Sequence, residues 1–298
     1  AALSDVSVKL SNFALTTTSS YPIITVSNLD SVELEELNLT GGGLASLVVL
    51  ENTTSATISN TTLSDGLHAL SITDSTVTLS NINIVDSTVA GVWTTGPVTS
   101  LTMNNVTVSN TVPGLGVVAP MGGWGMVFEG GTVRGTNVTV SESTGAGIFA
   151  DVDELNLANV RISDVAAAGS GMFGRGIHVM DSDCTTESTL RIDGLKTERT
   201  DDSGLFIQRI TNAHITDVSI HDVGLADVPD AMGGGAASDG IVITSRDPAS
   251  ASELSSTSTF LTVIEESLGV HGATRASILV DGGELRIVPD TTLEGMLA

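Results

Sequence analysis

One short motif recurs nine times along the chain, and its spacing admits few folds. It runs apolar residue, spacer, a third position that is usually Asn, then two apolar residues flanking a polar one. The copies are LSNFAL (10–15), LEELNL (34–39), ISNTTL (58–63), LSNINI (79–84), MNNVTV (103–108), GTNVTV (135–140), LANVRI (157–162), IDGLKT (192–197) and ITDVSI (215–220). The third position is Asn12, Glu36, Asn60, Asn81, Asn105, Asn137, Asn159, Gly194 and Asp217. Six of these nine are Asn in a chain that holds 14 asparagines, so the position is selective. Asn, Gly and Asp tolerate left-handed backbone geometry, which suits a tight bend between two strands. Identical amides stacked at such a bend can hydrogen-bond along the repeat axis.

The steps between these positions are 24, 24, 21, 24, 32, 22, 35 and 23 residues. A unit of 21 to 24 residues is too short for a helical pair and suits three short strands with turns; the longer steps are insertions. Composition agrees. Aromatic residues make up 3%, while Ser, Thr, Gly, Val and Asn abound and no long helical period appears.

A second fixed point follows in each unit, a Gly read as a fixed bend, as at Gly204, then apolar, any, apolar: DGLHAL (65–70), AGVWTT (90–95), WGMVFE (124–129), AGIFAD (146–151), RGIHVM (175–180), SGLFIQ (203–208) and DGIVIT (239–244). With a period of two, the residues after Gly point in, out, in. The predicted core pairs are Leu67/Ala69, Met126/Phe128, Ile148/Ala150, Ile177/Val179, Leu205/Ile207 and Ile241/Ile243. The predicted outward column is Val48, His68, Trp93, Val127, Phe149, His178, Phe206 and Val242.

On the Asn ladder and the Gly-Ile-x-Val rungs, the chain resembles the right-handed parallel β-helix family, the pectate-lyase-like superfamily, with no specific enzyme family matched. The resemblance implies an all-β chain folded as one solenoid domain, residues 1–298, of about ten coils. It is clear over residues 8–245. Residues 246–298 are less regular, with SILVDGGELRIV (277–288) as closing strands.

Charge narrows the partners. There are 35 Asp+Glu against 11 Lys+Arg, a net charge of −24. Nucleic acid and anionic membrane surfaces need clustered cations and are excluded as partners. The apolar stretch Leu115 to Phe128 is broken by Pro120 and glycines, so no membrane-inserted segment is expected. The first residues, Ala1-Ala2-Leu3-Ser4, show no leader pattern. The lone Cys184 allows no intrachain disulfide. An extracellular or bacterial cell-surface setting fits this balance.

Three insertions precede the Gly-apolar strand: Ser109–Trp124, Ser163–Arg175 and His221–Asp239. They would flank the outward column, where five of eight residues are aromatic or His. His68, Trp93, Phe149, His178 and Phe206, with Arg175 and Arg209, are the candidate ligand-binding set, for a glycan or a surface protein. The alternative is that the insertions fold over the column as satellite core. Asp151, Asp153, Asp181 and Asp183 lie just after the strand on successive coils. They could converge on Ca²⁺, which needs six or more oxygens, or cap local turns.

The stretch TDDSGLFI (200–207) resembles the paired aspartates of the polygalacturonases. That resemblance implies Asp201 and Asp202 as an acid pair, Asp239 as a third acid and His178 beside them, in a polysaccharide hydrolase or lyase. The departures are substantial. The third acid follows the pair instead of preceding it, the family's Gly-His-Gly is absent, and so is its Arg-x-Lys. The sequence therefore favours an adhesin-like binder over an enzyme, with a pure scaffold as a third reading. Asn38, Asn52, Asn60, Asn105 and Asn137 each begin Asn-x-Thr, but three are ladder positions, which argues against glycosylation. Ice binding would need threonines aligned across coils, and the sequence does not align them.

Overall fold

The computed structural model describes residues 7–113, 122–167, 174–182, 187–224, 239–245, 260–273, 278–282, 284–288 and 292–294. Successive strands alternate between a 12-stranded and a 10-stranded sheet. Every pairing between strands is parallel. Each coil thus gives one long strand and one short strand, and the coils stack as a solenoid. Ten strands at about 4.8 Å span on the order of 45 Å.

The bends follow the ladder. All nine predicted third positions have positive φ, between 49° at Asn60 and Asp217 and 76° at Gly194. Within a long strand this residue resets the in–out alternation, so Val77 and Leu79 point inward before Asn81, and Ile82 and Ile84 after it. The amides do stack: Asn81 Nδ2 donates to Asn60 Oδ1 at 3.0 Å, Asn105 Nδ2 to Asn81 Oδ1 at 2.9 Å, and Asn159 Nδ2 to Asn137 Oδ1 at 3.4 Å. This ladder runs along the outside of the solenoid, where its side chains are exposed.

Two further left-handed corners escaped the sequence reading. One follows the short strand, at Asn28, Asn52, Asp74, Gly96, Gly130 and Arg209. The other lies at the end of the long strand, at Asp65, Asp86, Asn110, Glu142, Asp164, Arg199 and Asp222. Here side chains again bridge coils: Asn110 donates to Asp86, and Arg199 pairs with Asp164 at 2.6 Å. Up to three left-handed corners per coil let a unit this short close around a core.

The interior is Leu, Ile and Val stacked coil on coil, with Phe128 its largest fully buried side chain. The predicted core pairs from Met126/Phe128 onward are all buried. Of the first pair, Ala69 is buried in the core and Leu67 is misplaced. His68 lies in register with Ala90, so Leu70 and Ile72 fill the core of that coil and Leu67 is only half-buried. Val48, expected to point outward, is fully buried, in register with Leu70.

The glycine of the second fixed point is not a bend. Gly91, Gly125, Gly147, Gly176 and Gly204 stand in one column, and none has positive φ. A Cβ would meet a neighbouring coil's carbonyl oxygen at 2.7 Å at Gly91, 2.4 Å at Gly125, 2.7 Å at Gly147 and 2.4 Å at Gly176. Glycine is required here because the short strand passes too close to the next coil and to the long strand for any side chain.

The solenoid continues past residue 245. Leu261–His271 pairs in parallel with Asn212–Val223, with Ile264, Leu268 and Val270 buried in the same core. The anticipated closing strands are present as Ile278–Asp281 in the small sheet and Glu284–Ile287 in the large one. The register also aligns Thr57, Thr78 and Thr102 in one exposed column, contrary to the sequence reading. That column is flanked by Glu33 and Arg134, which confine it to three coils.

Candidate functional site

The outer face of the 10-stranded sheet carries the aromatic residues. Its central column runs Val49, Ser71, Trp93, Val127, Phe149, His178, Phe206, Val242 and Leu279 in register. Six of the eight predicted outward residues stand in it. His68 instead occupies the neighbouring column with Ala90, Trp124, Ala146 and Arg175.

Trp124, which the sequence reading passed over, completes the array. Its indole lies parallel to that of Trp93, with centroids 6.4 Å apart and planes 7° apart, and it meets Phe149 at 5.1 Å. The rings then form one chain of contacts: His68 to Trp93 at 5.0 Å, Phe149 to His178 at 5.2 Å, and His178 to Phe206 at 4.9 Å. The signal was available, since WGMVFE places Trp immediately before the fixed Gly, where other coils carry Asp, Ala, Arg or Ser.

Exposure divides this chain. Trp93, Trp124 and Phe149 are half-buried and retain an accessible face. His178, Phe206 and Val242 are buried, at 4%, 6% and 7% exposure. The column is thus accessible at the Trp93–Phe149 end and buried at the His178–Val242 end. Within the three predicted insertions, residues 114–121, 168–173 and 225–238 lie outside the described residues.

The buried part is an ionic network. Arg175, 3% exposed, donates from Nε to Asp202 Oδ2 at 2.8 Å and from Nη1 to His178 Nδ1 at 3.2 Å. Its guanidinium carbon lies 3.6 Å from the centroid of Phe206. Gln208 hydrogen-bonds to His178. Burial, then the nearby Arg175 charge, pushes His178 well below the usual imidazole value. The structure thus brings Asp202, Arg175, His178 and Phe206 together.

Asp201 Oδ2 accepts from the Ala167 N–H at 2.7 Å. Asp239 is 1% exposed, one coil beyond Ser203 when the pairing of Leu205 with Ile241 is extended. Arg209 is a corner residue, 5% exposed, with φ of 56°. Asp202 thus pairs with a buried cation, and the Asp201 carboxylate accepts from a backbone N–H.

At the accessible end, Trp93 hydrogen-bonds to Glu129, which lies in register with Asp151. Burial and then repulsion from Asp151 push Glu129 above the ordinary carboxyl value, and the Trp93 bond opposes this. Asp151 Oδ1 accepts from the Ser182 N–H at 2.9 Å. Asp153 is exposed and Asp181 is buried at 6% exposure. Asp183 lies outside the described residues. Among the described residues no three His, Cys, Asp or Glu side chains group to hold a metal ion.

His68 links site and stability. Burial lowers its pKa to about 4, and its Nδ1 lies 3.0 Å from Ser46 Oγ. Below pH 6.5 the unfolded chain takes up a proton that the folded chain refuses. Stability is therefore lost as pH falls from 6.5 toward 4, by about 1.4 kcal/mol per pH unit from this residue. In His68→Gln that contribution disappears. The stability gap between wild type and variant, from urea unfolding, should shift by about 2 kcal/mol between pH 7 and pH 5; a constant gap contradicts the assignment.

Residues 46–190 match a protein-family model described as a right handed beta helix region. No curated protein matches the chain, and no solved structure does. No helix among the described residues is long and apolar enough to cross a membrane.

Proposed function

Since the chain is a right-handed parallel β-helix, we propose that it is a binding protein of the cell surface or extracellular space that holds a saccharide along one solenoid face, without catalysing its cleavage. The observation that carries this reading is the half-exposed stripe Trp93–Trp124–Phe149, in which Trp124 meets both other rings across three coils. Flat rings repeating along a rod suit the apolar faces of successive sugar rings. A soluble protein gains nothing from leaving such rings accessible unless something covers them.

A polysaccharide-cleaving enzyme needs acid and base groups that reach a substrate. Here Asp202 is engaged with Arg175, Asp201 with a backbone amide, and His178 and Asp239 are buried. The binding reading accounts for these contacts and the catalytic one does not.

The test is a glycan array with wild type and Trp93→Ala. The variant should lose about tenfold in affinity, roughly 1.4 kcal/mol, for every saccharide that wild type retains. Equal retention by both proteins removes the stripe from the account.

A further inference from the structure

The stripe has a charged margin. Glu129 and Asp151 are partners in register on adjacent strands, about 4.8 Å apart along the solenoid. Both are half-buried. Neither joins an ion pair among the described residues, whereas Glu154, Asp164, Glu198 and Asp202 each face an Arg or Lys. Their known contacts are single N–H donors, Trp93 for Glu129 and Ser182 for Asp151. Two carboxylates in a partly desolvated setting repel more strongly than on an open surface, and a cation between them relieves that repulsion.

The rings beside them favour the same ligand charge. Trp93 is itself the donor to Glu129, so the carboxylate sits at the edge of the ring on which a sugar would stack. Indole faces attract cations through their quadrupole. The chain's net charge of −24 acts in the same direction at longer range. A uronate would meet carboxylates at the ring edge, while an ammonium-bearing sugar would meet them as partners.

We propose that Glu129 and Asp151 make the Trp93–Trp124–Phe149 stripe selective for saccharides carrying free amines, the hexosamine polymers, over neutral and uronate chains. This rests on the saccharide-binding reading above. The amine is held by charge-assisted hydrogen bonds at the ring edge while the sugar's apolar face lies on the indoles.

The experiment compares three probes by calorimetry at low ionic strength: a glucosamine hexamer, its N-acetylated counterpart and a galacturonate oligomer. The amine form should bind at least about tenfold more tightly than the acetylated form, with the uronate weakest and added salt reducing the preference. In E129Q/D151N, shown to be folded by its urea transition, the ratio of amine to acetylated affinity should fall to about one. Gln at 129 can still accept from Trp93, so the change isolates charge. Equal wild-type affinities for the first two probes, or a ratio that survives the double variant, overturn the selectivity while leaving saccharide binding intact. Binding of none of the three overturns both.

Discussion

Gly125→Ala should destabilise the folded protein by about 3 kcal/mol, at the upper end for added volume in a packed core. The new Cβ would lie 2.3 Å from Val140 Cγ1 and 2.4 Å from the carbonyl oxygen of Gly147. The first contact is a buried side chain of the long strand, and the second is backbone of the next coil. Neither can retreat without moving a coil, because Met126, one residue on, is fixed in register with Val92 and Ile148. The backbone of Gly125 itself is ordinary, so the cost is steric and owes nothing to φ. Urea unfolding measures it; a loss below about 1 kcal/mol would show that the coils yield more easily than their register suggests.

Arg175→Met should cost about 3 kcal/mol by the same measurement. The pair is buried, with the Arg175 and Asp202 side chains at 4% and 16% exposure. Removing the cation leaves the Asp202 carboxylate desolvated without its partner and removes the stacking on Phe206. Methionine preserves much of the volume, so cavity formation is a minor part of the loss. Adding Asp202→Asn removes the stranded charge, and R175M/D202N should recover at least half of the single variant's loss. A double variant no better than the single would mean that the ring contact, not the ion pair, holds the network.

The sequence reading succeeded where one residue type did one job at a fixed spacing. The ladder positions all proved left-handed, even Glu36, whose type gives no hint and whose place was set by the 24-residue steps around it. Glu266, with φ of 66° on Leu261–His271, was missed because the pairing there slips between Thr216 and Val218. The glycine column was located correctly but explained wrongly. A glycine needed for space and one needed for positive φ look the same in a sequence, and only the neighbouring carbonyl tells them apart.

The candidate site was legible as a face and illegible as a set of contacts. Trp93, Phe149, His178 and Phe206 emerged from period-two counting, because strand geometry fixes which side they take. His68 was set in the wrong column because Gly66-Leu67-His68-Ala69 imitates the fixed point three residues ahead of its register position. The pairing of Arg175 with Asp202 spans 27 residues and depends on side-chain direction between coils, which no local pattern encodes. Which rings would stay accessible was likewise hidden, since the same column holds the half-buried Phe149 and the buried Phe206.

The chain's only two tryptophans, Trp93 and Trp124, both lie in the stripe, so selectively excited tryptophan emission reports on it alone. The most direct test of the central claim is a fluorescence titration of wild type with a saccharide that binds by calorimetry. If the stripe is the binding face, the emission changes with the calorimetric affinity, and in Trp93→Ala the titration midpoint rises about tenfold. Binding that leaves both tryptophans' emission unaltered would contradict the claim and place the ligand elsewhere on the solenoid.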